Sequence, residues 1–233
     1  MAIRRRRISA LNRLEIRLRD AERLVEIHEE VTGINPGRRR GYDTLNRSAV
    51  MLSIAAWEAF CEDLASKTSK HYARNLLNTE ELPASIREPM IQWLYEKSKM
   101  SSLTKETRNA LWSMAGNGWR TVFLEYALVK IRSLNTPNYE NLKKLYNNII
   151  GVPDIAINWT YGRWSNEYYI TKLNGVLDLR HRIAHGSIGS ETVGKQKAKD
   201  AIALVRKLAA DTNRSVSEHK KTLKFSREAR LNE

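Results

Sequence analysis

The chain has 233 residues, 42% of them apolar, enough for one large domain or two small ones around a proper core. Its 40 Lys and Arg against 26 Asp and Glu leave a formal charge of +14, which makes a polyanion a reasonable partner and says nothing of the fold. A single cysteine, Cys61, excludes an intrachain disulfide and a cysteine-built zinc site, and no apolar run approaches the ~18 residues of a membrane span.

The N-terminal MAIRRRRISA is basic and no apolar signal-peptide core follows it, so a soluble, cytoplasmic protein is expected. Its arginine run reads as a solvated arm, a nucleic-acid contact or an address. Ile8 to Val31 reads as a long helix, because Leu11, Leu14, Leu18, Ala21 and Val25 step by three and four. Thr32-Gly33 and Asn35-Pro36-Gly37 end it with turn chemistry. A second helix is expected from Asp43, a candidate N-cap, to about Lys70, with Val50, Ile54, Trp57, Cys61 and Leu64 on one apolar face. Glu58 lies about 100° round from Trp57, as a surface acid or as the partner of a buried base.

Pro83 is expected to start a short helix that Pro89 limits or kinks. Thr104 to Met114 reads as another, stopped at Gly116 to Gly118. Trp119 to Leu134 follows, with Val122, Tyr126, Val129 and Ser133 along one line. In TPNYENLKKLYNNIIG, Thr136 is the candidate N-cap, Pro137 the first helical residue and Gly151 the stop. VPDIAINWTYGRW is irregular, and Trp159, Tyr161 and Trp164 pack under the core or form a stacking surface. Ser165 caps a helix to His185, and a last helix runs from about Glu191 to Ala210 with Ala201, Leu204, Val205 and Leu208 inward. The polar tail from Thr212 frays or extends as a basic helix. No stretch alternates with a period of two, so the fold class expected is all-α.

The stretch LDLRHRIAHG, Leu177 to Gly186, carries the chemistry. On a helix, Tyr169, Ile170, Leu173, Val176, Leu177, Ile183 and Ala184 share one broad face. Arg180 falls near its middle, His181 toward its edge and Arg182 nearly opposite. A guanidinium among apolar residues needs an acid, an interface or an anionic ligand. Arg180 therefore either pairs with Glu58 or another acid inside a bundle, or lines a cleft where its planar fork holds a phosphate. Gly186 is placed to end the helix. His185 then stands in the last turn, as a cap for free carbonyls or as a proton donor to a substrate. His181 and His185 are four apart, but no third ligand has metal spacing, so no metal is expected. No glycine-rich phosphate loop and no nucleophile elbow is present, and no cofactor is expected.

RHRIAHG closely resembles the RNRIAHG-type signature of HEPN domains, an R-x4-H motif formed by Arg180 and His185. IAAWEAFCEDL, Ile54 to Leu64, resembles the early HEPN helix with its A-W-E segment. TPNYENLKKLYNNIIGVPDI, followed by a tryptophan, resembles the segment before the motif in the RiboL-PSP-HEPN branch. These segments cover most of residues 43 to 210, and Arg4 to Val31 lies outside them. The organisation expected is a basic N-terminal helix and loop over 1–42, a HEPN-like helical domain over 43–212 and a polar basic tail over 213–233.

The resemblance implies an all-α helical bundle that forms a homodimer with two R-x4-H motifs facing one cleft. It implies a metal-independent endoribonuclease of a defence or toxin–antitoxin setting, with RNA as substrate and an antitoxin or sensor protein as a possible partner. Arg180 and His185 become the catalytic pair and Glu58 the acid that orients Arg180. Arg182 becomes a substrate-binding residue. His181 stands where the family has asparagine, adding a proton donor or altering substrate position. The alternative is a non-catalytic HEPN dimer that binds RNA or a protein through the same cleft.

Overall fold

The computed structural model describes residues 8–33, 41–100, 116–186 and 192–223. The arginine run at Arg4 to Arg7, the expected helix over Thr104 to Met114 and the end of the tail lie outside the described residues. Every regular element described is helical apart from a one-pair bridge between Tyr161 and Trp164. The elements are α1 (Ala10–Thr32), α2 (Asp43–Asn75), a 3-10 turn (Thr79–Glu81), α3 (Ala84–Met100), α4 (Trp119–Arg132), α5 (Tyr139–Ile150), α6 (Asn166–His185) and α7 (Lys195–Thr222). The all-α expectation holds, and no helix among the described residues is long and apolar enough to cross a membrane.

The chain forms two compact units. The first takes Met1–Cys61 and Asn158–Asn213, the second Glu62–Ile157 and Arg214–Glu233. In the first unit, α1 starts at Ser9, whose hydroxyl accepts the Asn12 N–H at 3.0 Å, and buries Leu14, Leu18, Ala21, Val25 and His28. Arg206 of α7 reaches Glu15 and Glu22 of α1 at 3.1 and 2.9 Å, and Lys199 reaches Glu29 at 2.8 Å. These pairs are part-exposed and are worth about 0–1 kcal/mol each, so they set register more than stability. The core of this unit contains Trp57 and Trp159, edge to face with ring centroids 6.1 Å apart. Trp159 is fully buried, and its indole N–H donates to Thr212 Oγ1 at 3.0 Å.

In the second unit α3, α4 and α5 contact one another. Pro83 precedes α3, its carbonyl accepting the N–H groups of Ile86 and Arg87. Pro89 does not end the helix, which runs on to Met100. Burial of Ile86, Met90 and Leu94, four apart, outweighs the missing hydrogen bond. The inward line of α4 is Trp119, Val122, Phe123, Tyr126, Ala127 and Ile131; Val129 is exposed, contrary to expectation. Asn138, not Thr136, caps α5, accepting the Asn141 N–H at 2.9 Å. Gly151 ends α5 with φ +84°, a left-handed conformation that favours glycine. α7 continues past Ala210 because Thr212, Ser215 and Val216 are buried, so a tail that reads as polar still has an inward face.

Candidate active site

All five expected site residues fall in the first unit. Four stand on α6. The helix buries Tyr169, Leu173 and Leu177 on one side, with Leu179 buried on another. The expected broad apolar face narrows at its end: Ile183 is half-buried and Ala184 is exposed. Arg180, one turn beyond Leu177, is accordingly half-buried at the margin of the core, not enclosed in it. A half-exposed guanidinium keeps water on part of its surface, which removes most of the cost that full burial would impose.

His181, Arg182 and His185 are exposed. The His181 and His185 rings lie 4.7 Å apart, centroid to centroid, tilted by 47°. Gly186 ends the helix in extended conformation (φ −71°, ψ 161°), and its N–H donates to the Arg182 carbonyl at 2.8 Å. Ser165 stands at the other end without a side-chain cap bond. Among the described residues, no group of three or more His, Cys, Asp or Glu side chains is gathered to hold a metal ion.

Glu58 is half-buried on α2, beside the fully buried Trp57. The fold therefore gathers Arg180, His181, Arg182 and His185 round one helix end, with Glu58 half-buried on α2 of the same unit.

The helix offers a phosphate-binding fork at Arg180, two imidazoles that can accept or donate protons, and a second cation at Arg182. That set suits a phosphodiester. Residues 12–218 match the RiboL-PSP-HEPN family model. The chain belongs to the RiboL-PSP-HEPN family. Its HEPN match begins near the start of α1, so the family region includes the N-terminal helix that lay outside the resembling segments. No curated protein and no solved structure matches the chain.

In this HEPN chain α6 has a second side that the apolar stripe does not disclose. Tyr168, Lys172, Gly175, Leu179 and Arg182 recur at spacings of four and three, away from the Leu173–Leu177 stripe. The signal was present as a periodicity. Its mixed polar and aromatic chemistry keeps it from reading as an apolar face.

Proposed function

We propose that this HEPN chain is a metal-independent endoribonuclease acting in defence or as a toxin, with Arg180 and His185 as its catalytic pair. The observation that carries the reading is the arginine–histidine spacing on an accessible helix end, in a chain matched to the family over residues 12–218. The RNA 2′-oxygen attacks the neighbouring phosphorus, a P–O bond forms, and the bond to the 5′-oxygen breaks. Arg180 binds the scissile phosphate and stabilises the charge that develops on it. His185 moves a proton, taking it from the 2′-hydroxyl or giving it to the leaving 5′-oxygen. His181, 4.7 Å away, supplies a second proton-transfer group where the family has asparagine.

Two copies bring their motifs to one cleft, in which Glu58 orients Arg180 and Arg182 holds the RNA backbone. An antitoxin or sensor protein restrains or triggers the dimer. The test is an RNA cleavage assay on the full chain. Arg180→Ala and His185→Ala are each expected to lower the rate by about 100-fold or more. Unchanged cleavage in both variants would contradict the assignment. Tight binding of RNA that is recovered intact would select the non-catalytic reading instead.

A further inference from the structure

Between α6 and α7 of the first unit runs an open groove of about 650 Å³. Tyr161, Trp164 and Tyr168 line one end and Arg182 the other. Tyr168 and Arg182 are 14 positions apart on α6, about 21 Å along the axis, a length of several nucleotides. Four cations line it, Lys172, Arg182, Lys197 and Lys207, against one acid, Asp200.

The aromatic end is built. Tyr161 and Trp164 exchange backbone hydrogen bonds of 3.1 and 3.0 Å across a tight turn, with Gly162 at φ +55°. Directly opposed residues in such a pair project to the same side. Trp164 stacks on Tyr168 with centroids 4.2 Å apart, which fixes its ring. Lys207 is committed locally, to Asp211 at 2.5 Å and the Thr160 carbonyl at 2.9 Å, with its ammonium over the Tyr169 ring. Yet Tyr161 itself is 73% exposed, an aromatic surface left in water beside fixed cations. At the groove's middle, a side chain added at Gly175 would meet open space.

We infer that this groove binds single-stranded RNA, with an unpaired base stacking at Tyr161, beside the Trp164–Tyr168 stack, and phosphates on Lys172, Lys197 and Arg182, and delivers the strand to the R-x4-H motif. Aromatic faces beside cations are the means by which single strands are held without base-specific hydrogen bonds. The helical wheel gives the route. Going round α6 from Arg182, which lines the groove, His185 comes next at about 60°, His181 about 40° further and Arg180 about 100° beyond that. A strand leaving the groove past Arg182 therefore meets the two imidazoles before the half-buried guanidinium. The net positive lining favours a polyanion over an apolar partner helix or a second copy of this equally basic chain.

The inference rests on RNA being the substrate, so binding is read apart from cleavage, in the full chain carrying His185→Ala. The probes are a labelled short oligouridylate and a chain of the same length and backbone charge with its bases removed. The oligouridylate is expected to bind more tightly than the baseless chain. Tyr161→Ala is expected to weaken it by about 5- to 100-fold, with Tyr161→Phe restoring affinity because stacking needs the ring and not the hydroxyl. Gly175→Leu, which fills the groove without removing a contact, is expected to weaken it as well. Equal affinity for both probes, or for Tyr161→Ala and its parent, overturns the groove and leaves the cleavage reading standing. Conversion of a dimer to a monomer by Tyr161→Ala in sedimentation overturns it in favour of an interface between copies. Absence of RNA binding overturns it whatever the wild type does to RNA.

Discussion

His185 is exposed and is the last residue of α6, so truncating it removes almost no packing. His185→Ala is therefore expected to keep the wild-type melting temperature to within the small effect typical of surface changes, about 0.5 kcal/mol, while losing cleavage. Circular dichroism melts beside the cleavage assay check this. A variant that unfolds would make His185 a structural residue. Thr212 gives the opposite case. It accepts the Trp159 indole N–H at 3.0 Å in a fully buried setting. Thr212→Val keeps the shape and strands that donor, and is expected to cost about 1–3 kcal/mol in urea unfolding. A cost near zero would mean that the indole finds another acceptor.

At the scale of elements, the two ends of α5 can be set against each other. Removing the Asn138 cap with Asn138→Ala is expected to cost about 1 kcal/mol. Gly151→Ala should cost more. Its left-handed backbone alone penalises a Cβ by about 1–2 kcal/mol, and that atom would stand 2.7 Å from Pro83 Cγ. His219 of α7 lies against the same glycine, its Nε2 buried without a hydrogen-bond partner. Burial pushes its imidazole below the usual 6.5, partly offset by the Ile150 carbonyl. Above about 6.5 both folded and unfolded states carry it neutral and its contribution is full. As pH falls below that value the unfolded chain takes up the proton first, and stability is lost toward the lower folded pKa. Urea midpoints against pH are expected to decline there, and His219→Gln to flatten the decline. An unchanged profile would remove His219 as the cause.

These elements also separate what periodicity can and cannot disclose. α1 and the apolar face of α2 were legible, because an unbroken apolar stripe at three and four has one reading. The start of α5 was not: Thr136, Asn138 and Pro137 each offer helix-start chemistry, and only the packed chain selects Asn138. The length of α7 was hidden by Thr212 and Ser215, polar residues that are buried because distant groups pair with them, the Trp159 indole N–H with Thr212 and the Ile155 carbonyl with Ser215. At the candidate site, helical periodicity puts Arg180 near the middle of an apolar face, whereas the residue is only half-buried. Angular position on a helix does not say where the neighbouring core stops. Of the three aromatics weighed between core and stacking surface, the fold divides the group: Trp159 is inside, and Tyr161 and Trp164 face the groove.

For the whole molecule, a charge of +14 sets the background against which any RNA contact is measured. Binding of single-stranded RNA is expected to weaken with salt, by a log–log slope of about −0.7 per phosphate neutralised. Arg182→Ala is expected to reduce that slope by roughly one phosphate contact at similar base preference. A slope unchanged in Arg182→Ala would remove it from the RNA path. The central claim is that two copies of this helix end break RNA by attack of its own 2′-oxygen. The most direct measurement is the chemistry of the RNA ends left by the wild-type chain in the presence of EDTA. The account predicts continued cleavage with a 2′,3′-cyclic phosphate or 3′-phosphate on one fragment and a 5′-hydroxyl on the other, and no cutting of DNA, which lacks the 2′-hydroxyl. Cleavage abolished by EDTA, or fragments bearing 5′-phosphate and 3′-hydroxyl ends, would contradict it.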